Sequence, residues 1–329
     1  MALRGGLPTE SGSVGVEGVR LVEEALRSGC PIQAVLFSET GERHRERLAP
    51  LIDRPEIAFP VLRTTDRLFE GIADTEHPQG VAALVQPRTA TLDDILRTPG
   101  EACSPLLVVL AGVQDPGNVG TILRTAAAFG ATGAVTAASG QSGTASPFSP
   151  KALRASAGAA LHLPVLAGMS LPILLAQLHV AGVRTLASVV QGRGGSRDAN
   201  ETVGSDASTP DQERARPFEA QGKHAAPLRA SDLVLAPWEI DWCEPVALLV
   251  GNEGAGLPAE VERSANARIR IPMASGIESL NAAAAAAVLF YEAARQRNRS
   301  KRQALVGEIE EKASGSQNGP EPQGETRQP

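Results

Sequence analysis

Three short segments combine glycine with asparagine, serine, acidic or proline residues directly after an apolar run. They read QDPGNVG at 114–120, GNEGAG at 251–256 and SGIESLN at 275–281, and we call them the first, second and third loops. Each follows a strand pattern and leads into a helix pattern. In α/β proteins such loops gather at the carboxyl ends of the strands, where ligands bind. The pattern therefore predicts that the three loops form one ligand site.

Several side chains in and after these loops allow a structural as well as a chemical interpretation. Glu253, between glycines, is either solvated, a cap for the helix that begins near Pro258, or a group that faces the site. Asn118 and Ser279 are also typical helix caps. Arg124 is either a surface charge or a cation that acts on the substrate. A guanidinium is always protonated, so phosphate binding or stabilisation of an alkoxide is favoured over simple base chemistry, although the sequence leaves both open.

Composition narrows the class of protein. The 329 residues are 42% hydrophobic but only 3% aromatic, so the cores must be built from alanine, valine, leucine and isoleucine. The formal net charge of -6 argues against a surface that is basic throughout, but it leaves room for a local basic face. The three cysteines are widely spaced and form no CxxC motif, so we expect reduced thiols and no metal site.

Neither a signal-peptide core nor a membrane-length apolar stretch stands out. The first fifteen residues lack the apolar segment of a secretory signal, and no run has the length and purity of a membrane span. We therefore predict a cytoplasmic protein without a membrane partner.

The amino-terminal part alternates between strand and helix patterns. Apolar strands are predicted at 32–38, 58–63 and 80–86, with amphipathic helical segments between them. This predicts a small α/β domain over 17–88, which follows a flexible segment at 1–16. Residues 89–104 are interpreted as a linker with one helical turn.

A second α/β unit follows from 105 to 297. Its first strand, 105–113, is apolar throughout, as in a central parallel strand, and a helix at 121–130 and a strand at 133–138 complete a βαβ pattern. Dinucleotide binding is disfavoured, because no GxGxxG follows the first strand of either unit. Residues 191–230 are too polar to bury a core and are predicted to be a disordered insertion. The tail at 298–329 is predicted to be disordered, apart from a helical extension at its start.

The three loops, with their flanking residues, resemble a known family. DPGNVGTILRTA, GNEGAGL and IPM…SLN, in that order, resemble motifs 1, 2 and 3 of the SpoU/TrmH class of SPOUT methyltransferases. These enzymes transfer a methyl group from S-adenosylmethionine to a ribose 2′-hydroxyl of RNA. The resemblance covers 105–297 without the insertion. VEGVRLVEEAL and HPQGVAALV, in the first unit, are similar to the substrate-binding domain that many members carry.

The resemblance implies the architecture and the partners. The fold would be an α/β methyltransferase domain with a trefoil knot, preceded by an α/β sandwich RNA-binding domain like a ribosomal protein. It implies S-adenosylmethionine as cofactor, a homodimer, and RNA as substrate, with ribosomal RNA favoured by the amino-terminal domain. A tRNA enzyme of the same chemistry and a catalytically silent assembly factor remain as alternatives.

The resemblance also implies roles for individual residues. The catalytic candidates are Asn118, Arg124, Glu253, Ser279 and Asn281. The cofactor-binding candidates are Leu249, Gly251, Asn252, Gly254, Gly256, Ile271, Met273, Leu280 and Asn281. For RNA, the charge pattern and position suggest Arg43, Arg45, His77, Gln79, Lys151 and Arg154. A solvated helix face is an equal alternative for the arginine cluster at 43–47, because glutamates lie among the arginines.

Overall fold

The chain folds into two α/β units, each built on its own sheet. The computed structural model describes residues 12–54, 58–97, 104–138, 143–190, 234–274 and 277–315. The first sheet has four strands in the order β1-β4-β2-β3, and the second has seven in the order β7-β6-β5-β10-β8-β11-β9. The predicted fold class, an α/β domain with a parallel sheet behind a small α/β domain, is confirmed.

The amino-terminal unit is a mixed sheet covered by short helices. Only the β2–β3 pair is parallel, while β4 pairs antiparallel with both β1 and β2. The strands are β1 (Val14–Glu17), β2 (Ile32–Ser38), β3 (Val61–Thr64) and β4 (Val81–Val85). The helices are α1 (Val19–Arg27), α2 (Arg45–Ile52) and α3 (Asp66–Ile72).

Strand β1 corrects the predicted start of this unit. Residues up to 16 were expected to be flexible, but Val14 pairs with Val85 at the sheet edge, and Val16 is fully buried. The strand has only four residues, and one of them is Gly15, so it is too short for an alternating pattern to stand out in the sequence. Residues 1–11 lie outside the described part of the chain.

The linker contains the predicted single helical turn. Helix α4 (Leu92–Leu96) begins with a capping box in which Thr91 and Asp94 satisfy each other's backbone donors. The fully buried Ile95 anchors the turn against the second unit. At α4 the linker is therefore packed against the second unit.

The second sheet is parallel throughout. Strands β5 (Leu106–Ala111) and β10 (Val246–Gly251) lie side by side near its centre with every residue buried, as the apolar pattern predicts. The other strands are β6 (Gly133–Ala138), β7 (Val165–Ser170), β8 (Arg184–Ser188), β9 (Val234–Leu235) and β11 (Ala267–Ile269). The helices are α5 (Pro116–Ala128), α6 (Pro150–Ala155), α7 (Ala159–His162), α8 (Leu171–Val180), α9 (Ala259–Ser264) and α10 (Ala282–Gly315).

One helix boundary differs from the prediction. Helix α5 begins at Pro116 with Asp115 as its cap, so Asn118 lies inside the first turn and is not the cap. Proline fits the first turn of a helix, where its missing N–H costs nothing. Helix α10 continues to Gly315, as the helical extension predicted at the start of the tail requires. The predicted insertion at 191–230 and residues 316–329 lie outside the described residues.

The two units share one hydrophobic core. A single cluster of buried side chains runs from Val16 and Phe37 in the first sheet to Leu110 and Phe290 in the second. In the described part of the chain, no helix is long and apolar enough to cross a membrane. The trefoil knot, the homodimer and the cytoplasmic location remain predictions.

Candidate active site

Glu253 joins the first and second loops. Its carboxylate accepts hydrogen bonds from the backbone N–H groups of Gln114 and Asp115, each at 3.2 Å, and from Asn118 Nδ2 at 3.0 Å. The alternative in which Glu253 caps the helix after Pro258 is wrong, because the carboxylate points at the start of α5 instead. The acidic residue between glycines therefore binds the amino end of the neighbouring loop.

Asn118 extends this connection to the third loop. Its Oδ1 accepts a hydrogen bond from Asn281 Nδ2 at 3.1 Å. Asn281 Oδ1 in turn accepts from the backbone N–H groups of Ala283 at 2.8 Å and Ala284 at 3.3 Å, so Asn281, not Ser279, caps α10. Since Glu253 can only accept, each amide in this chain has one possible orientation. The three loops meet, as the sequence predicts.

The second loop is closed on itself by backbone contacts. Asn252 and Gly256 exchange two hydrogen bonds of 3.1 and 2.9 Å, and Asn252 Nδ2 donates to the Gly112 carbonyl at 2.9 Å. A Cβ atom on Gly251 would lie 2.4 Å from the carbonyl carbon of Gly256, closer than any side chain tolerates. Glycine at 251 is therefore required by the close approach of the two ends of the loop.

The hydrogen bonds to Glu253 set its charge state. Partial burial raises the pKa of this carboxyl, but the donors from Asn118, Gln114 and Asp115 outweigh it and the net pKa is below the ordinary value. Glu253 is thus ionised at neutral pH and poorly suited to accept a proton. The structure favours an orienting role for it over that of a general base.

A cavity of about 280 Å³ lies beside this network. It is enclosed by the ends of β8, β10 and β11, the third loop and the first turns of α10. Its lining combines main-chain groups with apolar side chains, and it includes these predicted residues: Gly251, Asn252, Glu253, Gly256, Ile271, Met273, Ser279, Leu280 and Asn281. Two predicted cofactor residues do not line it. Leu249 is fully buried within β10, and Gly254 lies on the outer side of the loop, where its N–H is bonded to Asn252.

The sequence missed the wall formed by β8. Ser188, Val189 and Val190 line the cavity, and Ser188 Oγ donates to the Leu249 carbonyl at 2.8 Å. The polar stretch that begins at 191, directly after this wall, was assigned to the insertion, so no motif marked the end of β8 as part of a site. Only the sheet order, which places β8 between β10 and β11, reveals its position.

Arg124 lies apart from the other catalytic candidates. It is on the exposed face of α5, six residues after Asn118, which is about 9 Å along the helix axis. Among the described residues it has no hydrogen-bond or ion-pair partner, and it does not line the cavity. The structure therefore brings together Asn118, Glu253, Ser279 and Asn281, and leaves Arg124 facing outward.

Two RNA-binding candidates on α6 form ion pairs with two different parts of the molecule. Lys151 Nζ is 2.6 Å from Asp115 Oδ1, the cap of α5, and this contact lowers the pKa of Asp115. Arg154 Nη1 is 2.7 Å from Asp74 Oδ2 in the amino-terminal domain. Lys151 thus lies at the rim of the site, whereas Arg154 bridges the two domains.

The amino-terminal candidates mostly have partners within their own domain. Arg45 pairs with Asp53 at 3.1 Å, and Arg43 Nε donates to His44 Nε2 at 3.1 Å. Gln79 Oε1 accepts from the Val19 N–H at 2.9 Å and thereby caps α1. Among these candidates, His77 alone is exposed with no hydrogen-bond partner in the described part of the chain.

The fold and the site together define a class. A parallel α/β domain with three hydrogen-bonded loops around a main-chain and apolar cavity, preceded by a separate α/β domain, is the arrangement of an RNA-modifying methyltransferase of the SPOUT type. The comparison with protein families gives the family. The model of the SpoU rRNA Methylase family matches residues 105–208 and 212–291, and that of the MRM3-like substrate binding domain matches 9–83. The chain belongs to the SpoU rRNA methylase family, and it is an RNA methyltransferase.

Relatives match nearly the whole chain. An uncharacterized tRNA/rRNA methyltransferase of Synechocystis sp. is 32% identical over 287 residues, which are 87% of this chain and 85% of the relative. The 23S rRNA (guanosine(2553)-2′-O)-methyltransferase RlmP of Bacillus subtilis is 28% identical over 283 residues, 86% of this chain and 89% of the relative.

Solved structures share the fold. An AdoMet-bound rRNA methyltransferase from Sinorhizobium meliloti superposes with a TM-score of 0.63 at 29% identity, covering 87% of this chain and 88% of that one. The SpoU methyltransferase AviRb from Streptomyces viridochromogenes gives 0.62 at 25% identity, covering 88% and 92%. S-adenosylmethionine is the methyl donor of the family. The cavity suits such a group, because glycine backbone and apolar side chains can hold an adenosine without obstructing its approach.

Proposed function

We propose that this protein transfers the methyl group of S-adenosylmethionine to a ribose 2′-hydroxyl of ribosomal RNA. The observation that carries the proposal is the chain of hydrogen bonds from Glu253 through Asn118 to Asn281, which joins three distant loops beside one cavity. The relative RlmP, a 23S rRNA 2′-O-methyltransferase, supports the choice of hydroxyl and of RNA. An RNA-binding factor without activity has no need of a cavity framed by these residues.

The cavity residues would hold the cofactor through main chain and apolar contacts. Gly251 and Gly256 bring backbone groups close, while Ile271, Met273 and Leu280 offer apolar surface. When bound, S-adenosylmethionine supplies a methyl group on a sulfonium, which departs as a neutral thioether. No cationic side chain lines the cavity in the described residues, so nothing there opposes a sulfonium.

The residues around the hydrogen-bond network would orient the ribose. Glu253 stays ionised and keeps the amide of Asn118 turned so that its oxygen faces Asn281. Ser279, exposed at the cavity edge, offers a hydroxyl to cofactor or ribose. Arg124, on the exposed face of α5 outside the cavity, would bind the adjacent RNA phosphate as a two-pronged donor. It would also stabilise the negative charge on the 2′-oxygen while the hydroxyl proton passes to solvent water and the oxygen takes the methyl group.

RNA would reach the site along the rim that carries Lys151. This ammonium group has three donors, so it can keep its contact with Asp115 and also bind a phosphate oxygen. The match to a substrate-binding domain, together with the 23S rRNA relative RlmP, favours ribosomal RNA over tRNA. A homodimer is part of the proposal, because Val288 and Tyr291 leave apolar surface exposed on α10.

Radiolabelled methyl transfer tests this function directly. Purified protein with labelled S-adenosylmethionine is expected to label unmodified 23S rRNA, and the labelled nucleotide is expected to resist alkaline cleavage. Label on a base, which leaves the backbone cleavable, would contradict the 2′-hydroxyl assignment. Label on tRNA alone would favour the tRNA alternative. Binding of RNA without transfer would favour the silent assembly factor.

A further inference from the structure

Helix α6 makes one ion pair with each domain. Lys151 contacts Asp115 at the first loop, and Arg154, one turn later, contacts Asp74 in the segment 73–80 of the amino-terminal domain. The two basic side chains therefore connect the rim of the site with a loop of the substrate-binding domain. That loop carries the exposed His77.

The partner of Arg154 is itself held in place. The Asp74 backbone N–H donates to Glu17 Oε2 at 2.7 Å, and the Thr75 hydroxyl donates to the other oxygen of the same carboxylate. Glu17 is only 8% exposed, at the end of β1. At the other end of the segment, Gln79 caps α1. The segment 73–80 is thus hydrogen-bonded at both ends within its own domain, and the ion pair with Arg154 connects it to the second domain.

The chain that follows Arg154 is closely packed against the amino-terminal domain. Gly158, at φ +84°, follows α6, and a Cβ atom there would lie 2.7 Å from Glu24 Cβ of α1. His162 Nε2 is 3.1 Å from Glu24 Oε2, and Cys30 Sγ is 3.4 Å from the Leu161 carbonyl oxygen. The stretch 150–162 therefore forms the surface on which the amino-terminal domain rests.

We propose that Arg154 is a positioning residue. Its ion pair with Asp74 holds segment 73–80 at a fixed position relative to Lys151 at the rim, so that one RNA molecule contacts both the segment and Lys151. This inference rests on the proposed function. Arg154 is 39% exposed and its guanidinium is directed to Asp74, whereas Lys151 is 61% exposed at the rim of the site. Arg154 acts on RNA through Asp74, and Lys151 acts on it by contact.

A double-mutant cycle separates positioning from direct contact. Arg154→Ala and Asp74→Ala are each expected to raise the KM for RNA by about threefold with little change in kcat, as befits one partly exposed ion pair. The double variant is expected to be no worse than either single one, and the charge-swapped pair D74R/R154D is expected to recover part of the loss. If Arg154 touches phosphate directly, Asp74→Ala will leave the KM unchanged or lower it, which overturns the proposal; additive effects of the two substitutions overturn it as well.

Hydrogen exchange without RNA provides a readout that does not depend on activity. Backbone amides of 73–80 are expected to exchange faster in Arg154→Ala than in the wild type, and unchanged exchange would overturn the positioning role. Arg63→Ala is the matched control, because it removes a 2.7 Å ion pair to Glu42 inside the amino-terminal domain and is expected to leave both readouts unchanged. A wild-type protein that transfers no methyl group would refute the proposed function, while the exchange experiment would still decide the role of Arg154.

Discussion

The functional candidates of the methyltransferase domain and those of the amino-terminal domain differ in the contacts that they make. In the methyltransferase domain, residues chosen for their place in a motif come from three distant loops and contact one another. In the amino-terminal domain, arginines chosen for their charge are paired with carboxylates or a histidine of their own domain. Membership of a motif thus located residues that contact one another, whereas charge alone left open whether the arginines bind RNA or form a solvated surface.

Arg124→Ala should produce the largest effect, although this residue lies outside the hydrogen-bonded network. We expect kcat for methyl transfer to fall about 1000-fold, because the cation that is proposed to stabilise the developing negative charge is lost. Cofactor affinity, measured by calorimetry, should stay near the wild-type value. Arg263→Ala removes an exposed arginine of α9 in the same domain and serves as control. Unchanged turnover in Arg124→Ala would show that only the network residues matter.

Glu253→Ala tests the centre of the network. The backbone donors of Gln114 and Asp115 and the amide of Asn118 lose their common acceptor, so the first loop is no longer held against the second. A misplacement of about 1 Å is enough to lower kcat about 100-fold. Glu260→Ala, an exposed glutamate of α9, is the control. Equal turnover of the two variants would contradict the orienting role.

Gly251→Ala and Gly254→Ala form a matched pair in one loop. A Cβ on Gly251 would meet backbone at 2.4 Å, so the loop must move and cofactor affinity should drop about tenfold or more. A Cβ on Gly254 would lie 3.6 Å from Asn252 Oδ1, an ordinary contact, so its cofactor affinity should change less than about twofold. Calorimetric titration with S-adenosylmethionine measures both. Equal losses would mean that the two glycines share the cofactor role that the sequence assigned to them.

Low pH should loosen the network through Glu253. Its pKa is lower in the folded protein than in the unfolded chain, so its contribution to stability is fully present above the unfolded pKa and is lost as pH falls through the folded pKa. The free energy of unfolding, measured by urea denaturation, should therefore fall more steeply below about pH 4.5 in the wild type than in Glu253→Gln. Parallel curves would show that this carboxylate contributes nothing.

Arg45→Ala and Lys151→Ala compare the amino-terminal domain with the rim of the active site. Arg45→Ala is expected to have the smallest effect of all these substitutions. Arg45 is engaged with Asp53 and lies over the Phe37 ring at 6.0 Å, so its loss should change the KM for RNA less than about twofold. Lys151→Ala should raise that KM about fivefold and reduce its salt dependence. Both KM values come from methyl transfer at two salt concentrations, and filter binding at the same concentrations gives the Kd for RNA. A larger effect at Arg45 would place the RNA on the arginine cluster.

The sequence predicted the elements that carry strong local signals. The apolar strands β5 and β10 and the three glycine- and asparagine-bearing loops could be located because buried strands and close backbone approaches demand particular residues. Three features escaped it: strand β1, the cavity wall at Ser188 and the early start of α5. Each depends on sheet order or on helix propagation through residues that have no distinctive type, so tertiary structure decides them.

The role of Arg154 shows the same limit at the level of a side chain. Its charge suggested RNA, but the contact with Asp74 depends on how two domains pack, which no local pattern encodes. Asn118 illustrates the reverse case, because its place in a segment that resembles the first family motif pointed to the site before any coordinates did. Its bonding partners, however, became known only from the structure.

A crystal structure with S-adenosylmethionine bound would test the central claim most directly. We predict that the ligand occupies the cavity between the second loop, Ile271–Met273 and the start of α10, with the Glu253–Asn118 and Asn118–Asn281 hydrogen bonds intact. A ligand bound elsewhere, or a bound state in which these three side chains are separated, would contradict the account.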